Sequence, residues 1–407
     1  MANPSLQIGN SKWAIKEDNE LGYSSSGTRF FPIPITMTRA SAGTRVNPQG
    51  LVETVELLGS EEITNGDFAT DSDWTKGTGT TISGGLANLD GSAGAFVSAL
   101  YQDIPLISGK TYKITFNISN FVSGSLRIRF DQSFTAIGNM TQDGFYEFTK
   151  VAASNDDRIN FVTNAINTIC SIDNVSVKES TKNNLARVDY DGTASSLLVE
   201  PQRTNEVTYS EAFDNAYWSK SNVDIISNNI TSPDGTLNAD KCYPLSSGNY
   251  RHIRTNYLNP ATGLYTFSIF AKAGEVEHLV LIDYDGGGVG IDYDLFNGVA
   301  TDSATTSFDS FAMIDYGNGW YRCIATATNP YFYYILSDSG SLSVTANGTN
   351  GLYIWGAGAE IGSYPTSYIP TSGSTVTRVQ ETYTKTGISS KINSEEGVLF
   401  LEVAALS

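Results

Sequence analysis

The chain contains an internal repeat on the scale of a whole domain, and this repeat constrains the fold more than any other feature. The first copy begins with ITNGDFATDSDWT, continues through LISGKTYKITFNIS and closes with CSIDNVSVKE. The second begins with VTYSEAFDNAYWSKSN, continues through LNPATGLYTFSIFAKAG and closes with GLYIWGAGAE. Each opens with a Phe followed closely by a Trp: Phe68 and Trp74 in one copy, Phe213 and Trp218 in the other. One architecture used twice is therefore expected.

Alternating apolar and polar residues predict that this architecture is built from strands. In YKITFNIS, Tyr112 to Ser119, every second side chain is apolar, which indicates a strand with one buried face. In HLVLIDYDGGGVGIDYDLFNG two such runs flank three glycines, the pattern of an antiparallel hairpin. The 38 Gly, 22 Tyr and 19 Phe also favour strands and turns over helices. We therefore predict an all-β protein of two tandem antiparallel β-sandwich (jelly-roll) domains with an extended N-terminal arm.

The repeat places the two sandwiches at residues 57–182 and 203–372, with linker strands at 183–202. Residues 1–56 carry Pro32, Pro34 and Pro48 without sustained periodicity, so we expect an extended arm and entry strands there. Residues 373–407 are predicted to be a linker and the start of a further strand or domain. They end on GVLFLEVA, an apolar strand that we expect to need a partner from another subunit or domain.

Charge and cysteine content limit the function classes. The 43 acidic and 25 basic residues give a formal charge of -18, which disfavours binding to nucleic acid. The N-terminus lacks the apolar core of a signal peptide, and no later run is long enough to span a bilayer, so we expect synthesis in a cytoplasm and no membrane insertion. Cys170, Cys242 and Cys323 show no metal or disulfide spacing and are expected to be buried free thiols.

Motifs that would indicate an enzyme are missing from the sequence. His252 and His278 are the only histidines, and neither an HExxH spacing, a GxSxG elbow nor a Walker-type loop occurs. GAGAEIG, at 356–362, is similar to a dinucleotide loop but lacks a helical pattern after it. A pair of carboxylates that hydrolyses a glycoside is defined by spatial separation, and the sequence singles out no such pair. We therefore predict a protein that is not an enzyme.

The second copy contains three further stretches, LLVEPQRTNEVTYSEAFDNAYWSKSNVDIISNNITSPDGTLNADK, GNGWYRCIATA and YIWGAGAEIGSYPTSYIPTSGSTVTR. Over roughly residues 185–380, these stretches resemble a module found in tail fibers, head spikes and other exterior proteins of tailed bacteriophages. The resemblance implies a virion structural protein on the exterior of the particle. It also implies a homo-oligomer, most often a trimer, attached to other virion proteins through the N-terminal arm.

The first copy resembles the family 4 and 9 type of carbohydrate-binding jelly roll, through NGDF, the later Trp74 and SIDNVSV. TRASAGTRVNPQGLVETV is similar to the segment that usually precedes the bacteriophage module, but here the first copy separates the two. The first copy is therefore interpreted as an insertion. Residues near Val52–Val55 and Ala186–Tyr190 should then lie close in space, because insertions are tolerated where their ends are neighbours.

Aromatic side chains are the candidates for glycan binding, because sugar rings stack on them. The candidates are Tyr284 and Tyr293 in the predicted hairpin and Tyr331 and Tyr333 in the YFYY run. The alternative for all four is core packing, which is the usual fate of large aromatics. Trp74, Trp218, Trp320 and Trp355 lie in the stretches that define the modules and are expected in the core.

The jelly-roll resemblance also implies a structural Ca²⁺ that joins the first strand to the last. Asp67 in NGDF and Asp173 in SIDNV occupy the matching places, and oxygen ligands of this kind suit Ca²⁺. The second copy departs from this pattern, with Trp355 near the position of Asp173. The calcium prediction therefore concerns the first sandwich alone.

Three hypotheses follow for function. The first is a virion fiber or spike whose jelly rolls act as scaffold and attach weakly to host-surface glycans. The second is a purely structural decoration or connector protein of the capsid or tail. The third, ranked last, is a tailspike enzyme that degrades a surface polysaccharide.

Overall fold

The computed structural model describes residues 6–8, 11–15, 21–24, 26–33, 35–130, 136–255, 263–283, 290–302, 308–328, 332–386 and 403–405. Within these residues the regular secondary structure consists of β-strands, and their pairing is antiparallel. The predicted all-β class is confirmed.

The chain divides into two compact units. The inserted unit is Glu56–Thr181, and the discontinuous unit consists of Met1–Val55 and Lys182–Ser407. The strands before the insertion are β1 (Leu6–Ile8), β2 (Trp13–Ile15), β3 (Leu21–Tyr23), β4 (Phe31–Pro32), β5 (Thr36–Thr38), β6 (Thr44–Val46) and β7 (Val52–Thr54).

The inserted unit is an antiparallel β-sandwich with its own core. Its strands are β8 (Leu57–Glu61), β9 (Thr75–Lys76), β10 (Thr80–Ser83), β11 (Leu86–Asp90), β12 (Ser98–Asp103), β13 (Thr111–Ser123), β14 (Leu126–Arg129), β15 (Gly138–Met140), β16 (Gly144–Val151), β17 (Arg158–Thr163) and β18 (Ile169–Thr181). One sheet has the order β10-β11-β18-β13-β16, with β8 beside β18, and the other has the order β9-β12-β17-β14-β15. Apolar side chains from both sheets form one buried cluster.

The discontinuous unit contains the second sandwich and several smaller sheets. The strands after the insertion are β19 (Arg187–Asp191), β20 (Ala194–Val199), β21 (Arg203–Asn205), β22 (Trp218–Ser221), β23 (Val223–Thr231), β24 (Leu237–Pro244), β25 (Gly248–Asn249), β26 (His252–Thr255), β27 (Tyr265–Lys272), β28 (His278–Asp283), β29 (Ile291–Asp294), β30 (Val299–Asp302), β31 (Phe308–Asp315), β32 (Trp320–Ala327), β33 (Phe332–Ser337), β34 (Ser343–Val344), β35 (Leu352–Ile361), β36 (Val376–Arg378), β37 (Thr382–Thr384) and β38 (Val403–Ala405). The two large sheets enclose a second apolar cluster.

The two sandwiches share one strand order, as the sequence repeat predicts. The order β23-β24-β35-β27-β32 in the second sandwich matches β10-β11-β18-β13-β16 in the first. The facing sheets match in the same way, β22-β26-β33-β28-β29 against β9-β12-β17-β14-β15. The opening motif also has the same role in both copies. The indole N–H of Trp74 donates to the carbonyl of Asn65 at 3.0 Å, and that of Trp218 to the carbonyl of Tyr209 at 2.9 Å, each nine residues earlier.

Side-chain alternation explains how individual strands sit in the sandwiches. In β13 the apolar positions from Tyr112 to Ile118 are at most 3% exposed, while the polar residues between them are partly exposed. The predicted hairpin is also present as a strand pair, with His278 opposite Asp294 and Leu281 opposite Ile291. Both patterns follow from the two-residue period of a strand.

Part of the predicted N-terminal arm is packed in a core, which corrects the expectation of an extended segment without one. Trp13, Leu21 and Met37 lie in a buried cluster with Val188 and Leu197. The linker strands β19 and β20 are thus part of the same core. Short strands without periodicity still bury apolar side chains when a distant segment supplies the opposite surface.

The last strand, β38, pairs with β1 of the same chain, which corrects the expectation of a partner from another subunit or domain. In the backbone pairing of β38 with β1, Leu6 lies opposite Ala405 and Ile8 opposite Val403. On its other side β1 pairs with β20. The order of this sheet is β19-β20-β1-β38.

The segments on either side of the insertion lie together, as the insertion hypothesis predicts. β6 and β7 form a hairpin, and the backbone N–H of Val46 donates to the Asp189 carboxylate at 2.7 Å. Within the inserted unit, Leu57 near its start is the pairing partner of Thr181 at its end. The insertion therefore leaves and returns through adjacent strands.

Candidate functional site

The structure removes Tyr293 from the set of glycan-binding candidates. Its side chain is 1% exposed, and its hydroxyl donates to the Ile324 carbonyl at 2.5 Å in the core of the second sandwich. Burial also raises the pKa of this phenol well above its usual value. Tyr284 and Tyr331 lie outside the described residues.

Tyr333 offers little surface to a ligand, which corrects its assignment as a stacking platform. It is 8% exposed and packs with Val280 and Ile335 in a small apolar cluster. Its ring meets the His252 imidazole edge to face, with 4.5 Å between centroids, and the Arg254 guanidinium lies 5.4 Å from it. The ring is held by protein contacts rather than presented to solvent.

The two predicted calcium ligands lie on adjoining segments of the inserted unit. The Val175 N–H donates to the Gly66 carbonyl at 2.9 Å, which places the NGDF turn beside the closing strand. Asp67 accepts a hydrogen bond from the backbone of Ala69, and Asp173 accepts two from Asn174. Among the described residues no group of three or more His, Cys, Asp or Glu side chains could hold a metal ion. Since Ca²⁺ takes six to eight oxygen ligands, the described carboxylates do not form such a site by themselves, and calcium stays a prediction.

The other residues singled out in the sequence have structural positions. Trp74, Trp218, Trp320 and Trp355 are buried, and the three cysteines are buried and unpaired, as predicted. GAGAEI forms part of β35. His278 bonds to Asp292 with 3.0 Å between Nδ1 and Oδ1. No helix in the described part of the chain has the length and apolarity needed to cross a bilayer.

A buried network of arginines and glutamates lies in the discontinuous unit, and sequence reasoning missed it. Arg187 bonds to Glu200 at 2.8 Å and to Glu381 at 2.7 Å, and neither partner has exposed side-chain surface. Arg39 pairs with Glu381 at 2.5 Å, and Arg378 with Glu200 at 2.9 Å. The network joins segments that are as far apart in sequence as residues 39 and 381.

Interactions within the network determine the ionisation of Glu200 and Arg187. Burial disfavours the ionised form of Glu200, but Arg378, Arg187 and hydrogen bonds from Ser367 outweigh it and lower the pKa of this carboxyl to about 2. Burial likewise lowers the pKa of Arg187, and the carboxylates of Glu200 and Glu381 raise it by more. Glu200 is therefore ionised at neutral pH, and between two arginines it is a poor proton donor there.

The signal that could have revealed this network was present in the sequence. Only 17% of the residues are charged, yet the stretches that carry the bacteriophage resemblance hold Arg39, Arg187, Glu200 and Arg378. Buried charges occur in pairs with full hydrogen bonding. Arginines and glutamates in stretches that are expected to form a core are therefore candidates for buried ion pairs.

Beside this network lies a cavity of about 550 Å³, the candidate functional site of the discontinuous unit. Its walls come from residues 44–52, 189–200, 314–322 and 364–368. The wall residues include the aromatic side chains of Tyr190, Tyr316, Tyr364 and Tyr368.

The polar side chains of the cavity wall differ in how many of their hydrogen-bonding atoms are paired with other protein groups. Arg322 is 5% exposed and donates to the Thr366 carbonyl at 2.7 Å and to Ser268 Oγ at 3.0 Å. Its Nε is buried without a hydrogen-bond partner. Asp189 accepts the Val46 N–H, and burial raises the pKa of its carboxyl to about 6. Asp315 is exposed and accepts the Gly317 N–H at 2.7 Å. The site can thus exchange hydrogen bonds with a polar ligand.

Comparison with known proteins adds little to this picture. No family model matches the chain, and no curated protein matches it. Among solved structures, the chain is similar to the N-terminal CBM22-1-CBM22-2 tandem domain of Xyn10C from Paenibacillus barcinonensis, with 10% identity and a TM-score of 0.26 over 75% of this chain and 98% of that one. It is also similar to a truncated AlyQ with CBM32 and alginate lyase domains, with 13% identity and a TM-score of 0.17 over 93% of this chain and 99% of that one. Both TM-scores are too low to carry an argument about function.

Proposed function

We propose that this chain is a non-enzymatic structural protein on the exterior of a tailed-bacteriophage virion, a fiber or spike that binds host-surface glycans weakly. The position of the resembling segments supports this. TRASAGTR, LLVEPQ and YPTSYIP are distant in sequence, yet Arg39, Glu200 and Ser367 from these segments belong to one buried network with Arg187. The segments that carry the resemblance therefore meet in one buried network of the discontinuous unit, and one of them precedes the insertion.

The proposal includes a homo-oligomer, a trimer by the resemblance, that attaches to other virion proteins through its N-terminal end. Repetition of two sandwiches on such an oligomer would raise avidity, since after the first contact each further one is intramolecular. Weak individual sites are then sufficient for attachment.

The test has two parts. Purified bacteriophage virions are examined by mass spectrometry and by cryo-electron microscopy. We expect the chain among the virion proteins, and density for it as a symmetric projection on the virion surface. The purified full-length chain is then applied to an array of bacterial surface glycans. Absence of the chain from purified particles would contradict the virion assignment. Absence of glycan binding at millimolar ligand concentration would leave only a scaffold role.

A purely structural decoration or connector protein is the second candidate. The packing of Tyr293 and Tyr333 favours it, because two of the residues expected to stack on sugars are held inside the protein. A tailspike enzyme ranks third. An enzyme of this kind would release reducing ends from host polysaccharide, and an assay for reducing ends with the same purified protein tests this.

A further inference from the structure

The function proposed above does not yet assign a role to the cavity of the discontinuous unit. Its volume of about 550 Å³ lies in the range of small-molecule sites. We propose that it binds a short saccharide, about one or two sugar rings long on that scale of volume. This inference rests on the function proposed above, for which it names the glycan site.

The aromatic walls suit the apolar faces of sugar rings. Tyr190, Tyr316 and Tyr364 line the cavity and are each partly exposed. Tyr316 meets Phe270 edge to face at 4.8 Å, and the Arg203 guanidinium lies 5.1 Å from the Tyr364 ring. These contacts hold the rings in place before a ligand arrives, which reduces the entropy lost on binding.

The polar side chains of the cavity wall can form hydrogen bonds with the hydroxyl groups of a sugar. The carboxylates of Asp189 and Asp315 are acceptors in the wall, and the Arg322 side chain lines the same wall. A sugar hydroxyl is both donor and acceptor, so one ring can pair with groups of both kinds. A flat apolar ligand would displace water from these carboxylates without replacing its hydrogen bonds, which is unfavourable.

Charge favours a neutral saccharide over an anionic ligand. Glu200 and Glu381 are paired with Arg39, Arg187 and Arg378, which leaves one net positive charge in the network, and Arg45 is paired with Glu53. Of the other charged wall residues, Asp189, Asp191 and Asp315 are acidic and Arg322 is basic. The excess of carboxylates repels phosphate, sulfate and uronate groups.

The experiment measures binding of maltose, lactose and N,N′-diacetylchitobiose to the full-length chain by saturation-transfer NMR and calorimetric titration. Asp315→Asn removes a wall carboxylate and keeps an oxygen that accepts the Gly317 N–H. Asp309→Asn is the matched control, because this exposed residue lies on the same strand and does not line the cavity. We expect Asp315→Asn to weaken binding about tenfold, as for loss of one charge-assisted hydrogen bond, and Asp309→Asn to leave it unchanged.

A second variant fills the cavity without changing charge. Gly317 lines the wall with a φ of 77° and open space around its Cβ position, and Asn tolerates this backbone conformation. Gly317→Asn should weaken binding with at most a small fall in the melting temperature, because Asn adopts a positive φ more readily than other side chains. Saccharide binding that is equal in wild type, Asp315→Asn and Gly317→Asn would overturn the cavity as the site and leave the proposed function standing. Indole is titrated in parallel as an apolar probe, and binding of indole without binding of any of the sugars would overturn the saccharide class. Failure of the wild type to bind the three disaccharides would overturn this inference, and failure to bind on the array of bacterial surface glycans would overturn the glycan function as well.

Discussion

Arg187 carries a charge in the protein interior and makes five hydrogen bonds there, to Glu200, Glu381, Thr44 and Ser367. Replacing one partner of a buried ion pair leaves the other charge unsatisfied, which typically costs about 3–5 kcal/mol. We expect Arg187→Met to lower the free energy of unfolding of the discontinuous unit by this amount. Differential scanning calorimetry checks it, with the transition of the inserted unit as internal reference.

The matched control for Arg187→Met is Arg45→Met. Arg45 pairs with Glu53 at 2.8 Å, but the side chains of this pair are 18% and 37% exposed. Such pairs contribute up to about 1 kcal/mol. Equal losses in the two variants would show that the buried network is no more important than a surface ion pair.

Glu200 makes the stability of the discontinuous unit depend on pH. Its pKa is lowered from 4.5 to about 2, so its contribution is complete above pH 4.5 and is lost as the pH falls towards 2. We therefore expect the destabilisation caused by Glu200→Gln to shrink by about 3 kcal/mol between pH 7 and pH 2. Calorimetry of wild type and variant at both pH values measures this difference.

The informative quantity is the difference in the free energy of unfolding between Glu200→Gln and wild type. The stability of the wild type alone is less informative, because other carboxyl groups make it fall, rather than rise, with increasing pH. The pKa values of Asp189 and Asp240 are raised to about 6, chiefly by burial. Their contributions are complete below pH 3.8 and are lost as the pH rises through 6. A destabilisation by Glu200→Gln that is constant with pH would contradict the assigned charge state.

At the scale of elements, Gly66 determines how the opening turn of the inserted unit meets β18. A Cβ at this position would lie 2.0 Å from the Val175 carbonyl oxygen, so backbone would have to move. Gly66→Ala should destabilise the inserted unit by about 1–3 kcal/mol, as in other overpacked sites. Gly94→Ala is the control, because no atom lies within 4 Å of its Cβ position. Calorimetric transitions that shift equally in both variants would contradict this account.

How far the sequence predicted each element depended on the range of the contacts involved. The alternation of β13 and the hairpin of β28 and β29 are local patterns, and the structure has both. In β29 the same two-residue period predicts burial of the Tyr293 side chain. Ile291 and Tyr293 share one face of the strand, and both are buried.

Long-range partners could not be predicted in this way. The packing of Trp13 with Val188 and the pairing of β1 with β38 join segments without periodicity that lie far apart along the chain. The cavity was missed for the same reason, since its walls come from four separate segments. Short patterns predict which side of a strand is apolar, whereas the surface that covers it depends on the whole fold.

At the scale of the whole molecule, the inserted unit and the segment before it should respond to deletion in opposite ways. The inserted unit begins and ends in paired strands, with Leu57 opposite Thr181, and has its own core. The segment before it supplies Arg39, Met37 and Trp13 to buried clusters of the discontinuous unit. An insertion with adjacent ends can be removed without altering the surrounding fold, whereas a segment that fills a core cannot.

We therefore expect a chain in which a short Gly-Ser linker replaces residues 56–181 to keep the calorimetric transition of the discontinuous unit. Residues 56–181 expressed alone should fold with a cooperative transition, because their buried cluster is complete within those residues. Deletion of residues 1–55 should abolish the transition of the discontinuous unit, since Glu381 then loses its ion pair with Arg39, and Arg187 its hydrogen bond to the Thr44 carbonyl. If that deletion left the transition intact, residues 1–55 would be a dispensable arm, and the buried network would need only the residues that follow the insertion.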